Sequence, residues 1–157
     1  MRRQLRLPVE ECWQLVHDVL EEQSIDIDAE DGHAYTLTTE RVRRSPMTRT
    51  LLHELRTIAD LRRARARGLR VLSAFWFDYH VALSPLATGT LITITSRIDA
   101  VDRSRVVYGL YGQVTVMPRN IRLPSTGVLE QRFLERLGNR VFGAEELLYL
   151  LGQPGYD

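Results

Sequence analysis

Asp78 and His80 are the residues whose types and spacing come nearest to proton-transfer chemistry. They alternate with Phe77 and Tyr79 in a run of strand formers, so a period of two puts both on one face beside Trp76. A carboxylate set against an imidazole can act as general acid or base. No serine or cysteine nucleophile stands at a recognisable position beside them, and a solvated polar strand face explains the same pattern. Asp26 and Asp28 alternate with Ile25 and Ile27, again as a solvated strand face does, with no oxygen-rich loop of the calcium type. His17, His33, His53 and His80 are scattered without metal-ligand spacing, and Cys12 has no partner cysteine. His17 and Asp18 are expected on the solvent side of a helix. The glycines form no phosphate-cradling pattern. No catalytic residue, metal ligand or cofactor site is therefore assigned, and the chain is expected not to be an enzyme.

The basic residues are the strongest anomaly. All 21 are Arg, at ordinary surface positions as elsewhere, which points to codon usage before any need for bidentate pairing. Their local density is a separate matter. Residues 43–70 hold Arg43, Arg44, Arg49, Arg56, Arg62, Arg63, Arg65, Arg67 and Arg70, while Leu51, Leu52, Leu55, Ile58, Leu61 and Leu69 give a helical stripe. The spacing predicts a basic amphipathic helix from about 46 to 66, ended by Gly68, inserted between strands. Pairing with acids such as Glu54 and Asp60 would make it a plain solvated helix. It could instead dock an acidic protein or, as the next choice, lie against lipid headgroups. Nucleic acid is the weakest reading, because residues 43–70 contain no Phe, Tyr or Trp and the net charge is only +1. Arg56, Arg62, Arg63, Arg65, Arg67 and Trp76 are the candidate partner-binding residues.

Leu123-Pro124-Ser125-Thr126-Gly127 has the form of a cell-wall sorting signal. A charged amphipathic stretch with Glu130, Arg132, Glu135 and Arg136 follows it, where a membrane segment would be required. The motif reads instead as a turn with Ser125 or Thr126 capping a helix.

These residues need elements to hold them. The chain has 157 residues, 44% hydrophobic and 26% charged, enough for one domain with its own core. Leu5-Arg6-Leu7 is a short extended piece ended by Pro8. Val9, Cys12, Trp13, Val16 and Leu20 then form one stripe of a helix over about 8–23, with Glu10 and Glu11 suiting its N-terminus. Ile25 to Asp28, the Asp31-Gly32 turn and Tyr35 to Val42 predict a hairpin over 25–42. Val71, Phe75, Phe77, Tyr79, Val81 and Leu83 share one face of a strand over 71–83. After a turn around Ser84-Pro85, Ile92, Ile94 and Ile98 share one face of a strand over 89–99. Residues 105–117, interrupted by Gly109 and Gly112 and closed by Pro118, predict a bulged or broken strand pair. Two helices follow, about 127–141 with Leu129, Phe133, Leu134, Leu137 and Val141 inward, and about 143–151 with Leu147, Leu148 and Leu151. The fold class is α+β: an antiparallel sheet with two helices packed on one face and a basic helical insertion at 43–70, all within a single domain 1–157.

Leu7-Pro8-Val9-Glu10-Glu11-Cys12-Trp13, Ile25-Asp26-Ile27-Asp28, Tyr35-Thr36-Leu37-Thr38-Thr39-Glu40 and the strand Thr90-Leu91-Ile92-Thr93-Ile94-Thr95 occur in an order that resembles the helix-grip domains of bacterial envelope lipoproteins of the BamC-like kind. The resemblance covers about two thirds of the chain. It implies a helix-grip fold, a place at the periplasmic side of the outer membrane and a role in a larger assembly. Cys12 falls inside a predicted helix, away from where such a family carries its lipid, and the arginine segment has no counterpart. No secretory signal is visible, so the expectation is either a cytoplasmic chain or one whose leader has been removed, and the cytoplasm if the resemblance is set aside.

The sequence therefore predicts a non-enzymatic binding or assembly subunit, its partner another protein, with a membrane surface as the second choice. The alternative is a carrier of a small apolar ligand between sheet and last helix, lined by Phe75, Phe77, Tyr79, Ile92, Ile94, Phe133 and Leu137.

Overall fold

A computed structural model describes residues 1–43 and 72–151, with side chains at 1–43 and 75–141. The predicted helix at 46–66 and its arginines Arg56, Arg62, Arg63, Arg65 and Arg67 lie outside the described residues.

The chain opens with β1 (Arg2–Leu5) and α1 (Val9–Glu22). Pro8 precedes the helix, where its fixed φ costs nothing, and Val9, Cys12, Val16, Val19 and Leu20 form the buried stripe. The hairpin β2 (Ile27–Asp31) and β3 (Thr36–Thr39) follows, then β4 (Val42–Arg43). In the β2–β3 turn the Asp31 carboxylate accepts the amides of His33 and Ala34 at 2.9 and 3.1 Å. The long strands β5 (Leu72–Leu86) and β6 (Gly89–Asp102) come next. A small hairpin, β7 (Val106–Tyr108) and β8 (Val114–Val116), precedes β9 (Arg119–Leu123) and the helix α2 (Val128–Leu151).

The β5–β6 hairpin is the spine of a seven-stranded sheet, paired without a break from Ala74↔Val101 to Leu86↔Gly89. Two short strands lie along each outer edge of it. β3 and β4 pair successive stretches of β5, and β1 and β9 pair opposite ends of β6. Every pairing among the described residues is antiparallel.

The period of two fixes the faces as expected. Phe75, Phe77, Tyr79, Val81 and Leu83 of β5 and Ile92, Ile94 and Ile98 of β6 are buried. Both helices cover this face. The Tyr79 ring lies 5.2 Å from Phe133 of α2, and Cys12, Val16 and Leu20 of α1 are wholly buried in the same cluster. Arg140 of α2 reaches Asp18 and Glu22 of α1 at 3.4 and 3.1 Å, joining the helices at their outer rims.

Six expectations change. The β5–β6 turn is at Ala87-Thr88, and the strand runs on through Ser84 and Pro85. Pro85 is tolerated because the pairing of β3 with β5 ends at Ala82, so no outer neighbour asks for its missing N–H. The first strand ends at Leu5, before Arg6 and Leu7, and β2 begins at Ile27. Residues 119–123 form an unforeseen strand. The two C-terminal helices are one, running through Gly143, since a lone helical glycine costs only about 1 kcal/mol. Neither Ser125 nor Thr126 caps α2 in the expected way. Gly127, with φ of 84°, immediately precedes the helix, Ser125 Oγ accepts the Gly127 amide at 3.1 Å, and the buried Thr126 hydroxyl has no hydrogen-bond partner among the described residues.

Candidate functional site on the helix-free face of the sheet

The side chains that alternate with the core point away from both helices. Register places Arg43 of β4, Trp76 of β5, Asp99 of β6 and Arg122 of β9 in one row across four strands. Residues directly opposite on antiparallel strands share a face, so this row is a continuous cation–indole–carboxylate–cation stripe. The next row brings Asp78 opposite Arg97. Arg97 donates to Asp78 at 3.0 Å from Nε, with its Nη2 at 2.8 Å, and its Nε lies 3.8 Å from Asp99. Arg122 reaches Asp99 at 3.2 Å. At the end of β6, the buried Asp102 accepts the Ser104 amide and hydroxyl at 3.0 and 2.6 Å and pairs with Arg119 at 3.3 Å.

Trp76 is half-buried. The guanidinium carbons of Arg41 and Arg43 sit 5.8 and 5.7 Å from its ring centroid, within cation–π range. Neither arginine has a carboxylate partner among the described residues, whereas Arg97 and Arg122 both do. The Trp76 Nε1 is buried with no acceptor among the described residues. A cavity of about 660 Å³ opens beside this group, lined by Asp28, Thr38, Thr39, Glu40, Arg41, Arg43, Asp78 and Arg97. A smaller one, about 230 Å³, lies along β2 and β3 and includes His80.

Proton-transfer chemistry finds little support in this geometry. The Asp78 carboxylate is turned to Arg97, not to His80, and His80 is exposed. The predicted carboxylate–imidazole pair is therefore not assembled. Among the described residues no group of three or more His, Cys, Asp or Glu could hold a metal ion. No described helix is long and apolar enough to cross a membrane. The face presents two guanidinium groups beside one indole, with hydroxyl and carboxylate groups around a hollow.

The seven residues expected to line an apolar pocket are all buried in the core. Phe77 meets Tyr79 edge-on at 5.4 Å, and Tyr79 lies tilted against Phe133 at 5.2 Å. None of the seven lines either cavity. Burial, with the nearby Glu130 carboxylate adding to it and Arg136 and Arg132 opposing, raises the Tyr79 pKa.

Two polar groups escaped the sequence reading. His17, expected in solvent, is half-buried edge-on to Trp13, with Nδ1 2.9 Å from the Trp13 carbonyl and Nε2 2.8 Å from Glu30. Burial alone would lower its pKa, but the Trp13 carbonyl and Glu30 outweigh it, and the net shift is upward. Beneath the start of α2, the Glu130 carboxylate is buried and accepts the Ser96 amide at 3.0 Å, the Ser96 hydroxyl at 2.7 Å and the Ser125 hydroxyl at 2.7 Å. The only sequence signal for this cluster was a glutamate in the first turn of the helix. Cys12 is wholly buried, and that burial raises its thiol pKa.

No protein-family model matches the chain, and no curated protein is significantly similar to it.

Proposed function

We propose that this chain is a non-enzymatic binding subunit of a larger assembly, and that it meets an acidic protein surface through Trp76, Arg41 and Arg43. The observation that carries this reading is a pair of guanidinium groups, without a carboxylate partner among the described residues, beside one half-buried indole. Arginine on an aromatic plate is held in position before binding, so less side-chain entropy is lost when a carboxylate arrives. Trp and Arg are also the residues that most often dominate the energy of protein interfaces. The described chain stops at Arg43, beside Trp76, and resumes at Leu72 of the strand that carries Trp76. A helix-grip relationship to BamC-like envelope domains is compatible with the sheet and the two helices, and would put the assembly in a bacterial envelope.

The test compares affinity capture by the parent chain with capture by Arg41→Glu/Arg43→Glu and by a chain lacking residues 46–67. An acidic protein bound by the parent and lost from the double variant supports the reading. Recovery of the same set of proteins by all three chains rejects it.

A further inference from the structure

The β7–β8 hairpin projects from the sheet between β6 and β9 and pairs only with itself among the described strands. Two isolated strands are marginal in water unless they bury a face against something. This hairpin buries little. Register places Val106 against Val116 and Tyr108 against Val114, so four apolar residues share one side, and all four are exposed. The turn carries Leu110 at 100% and Tyr111 at 94% exposure. Such side chains cost free energy in water and mark a contact surface.

The charge around them decides which contact. From Arg103 to Leu129 the sequence contains no Asp or Glu, while Arg103, Arg105, Arg119 and Arg122 stand at the two roots of the hairpin. Arg119 and Arg122 are shared with Asp102 and Asp99, but Arg103 and Arg105 are exposed and have no carboxylate partner among the described residues. An apolar tip beyond a cationic base, with Tyr108 about 10 Å along the strand from Arg105 at roughly 3.3 Å per residue, matches the layering of an anionic lipid surface. Tyrosines suit the boundary between headgroups and chains. The open hydrogen-bonding edges of a two-stranded ribbon cannot enter hydrocarbon, so immersion stops at the turn.

We infer that the β7–β8 hairpin is a shallow membrane anchor: Leu110 and Tyr111 enter the outer layer of an anionic bilayer while Arg103 and Arg105 meet its headgroups. The inference is independent of the Trp76 face, which lies on other residues.

The experiment is co-sedimentation of the full chain with vesicles of phosphatidylglycerol mixed with phosphatidylcholine, and with phosphatidylcholine alone. The expected result is binding to the anionic vesicles that falls at high salt. Leu110→Asp/Tyr111→Asp should weaken it by about tenfold or more, since two buried side chains are lost. Arg103→Glu/Arg105→Glu should abolish the preference for anionic lipid. Because these side chains are exposed, unchanged circular dichroism and thermal unfolding would confirm that the variants fold. Failure of the parent chain to sediment with either vesicle overturns the proposal. So does equal binding by the Leu110/Tyr111 variant, which would move membrane contact elsewhere. A dimer in solution that this variant dissolves, without vesicle binding, would assign the hairpin to a second copy of the chain and also overturn it.

Discussion

Ser96 of the central hairpin donates both its amide and its hydroxyl to Glu130 of the last helix, at 3.0 and 2.7 Å. The carboxylate is 4% exposed, so these bonds replace water almost completely. They tie the first turn of α2 to β6.

Glu130→Ala should therefore destabilise the fold by about 1–3 kcal/mol, because it removes the acceptor of the half-buried Ser96 amide and of two hydroxyls, of which the exposed Ser125 can turn to water. Glu130→Gln keeps one acceptor and should cost less. Chemical denaturation at neutral pH measures both. Equal stability of Glu130→Ala and the parent would mean that water replaces the carboxylate.

His17 makes a second prediction. Its two ring nitrogens face a carbonyl and a carboxylate, both acceptors, so the doubly protonated ring satisfies both. Its pKa in the folded chain lies above the ordinary 6.5. The folded state thus binds this proton more tightly than the unfolded one. The resulting stability is fully present below 6.5 and disappears as pH rises through the folded value. An NMR titration of the imidazole should give a value above 6.5 in the parent and a lower one in Glu30→Gln. No change on removing the Glu30 charge would show that the Trp13 carbonyl alone holds the proton.

The glycines supply a contrast. Gly89 follows the Ala87-Thr88 turn with φ of 135°, and a Cβ there would run into the Leu5 backbone carbonyl. Gly89→Ala should cost about 2–4 kcal/mol, since backbone must move and the φ is strained. At Gly138 a Cβ would meet only the Arg3 guanidinium, at 2.8 Å, the mobile end of a side chain that donates to the Leu134 carbonyl. Gly138→Ala loses that bond but gains about 1 kcal/mol of helix propensity, so its net effect should stay within about 1 kcal/mol. Thermal unfolding of the two variants side by side would expose an inverted order.

The sequence by itself determined the elements whose apolar residues repeat: α1, the β2–β3 hairpin, the inward faces of β5 and β6, and the inward Leu129, Phe133, Leu134 and Leu137 of α2. Burial acts on every turn of a helix and every second residue of a strand, so it writes a period into the chain. It also placed Trp76 on the outward face. Only the tertiary structure decided what stands next to what. Arg119 to Leu123 becomes a strand because β6 offers an open edge, not because of its own composition. Asp78 finds Arg97, His17 finds Glu30, Glu130 finds Ser96, and Arg41 and Arg43 find an indole, each across a separation that no local period records. A hydrogen bond or a cation–π contact needs two groups within a few ångströms in the right orientation, and that is fixed by strand register and helix docking, after the chain has closed on itself.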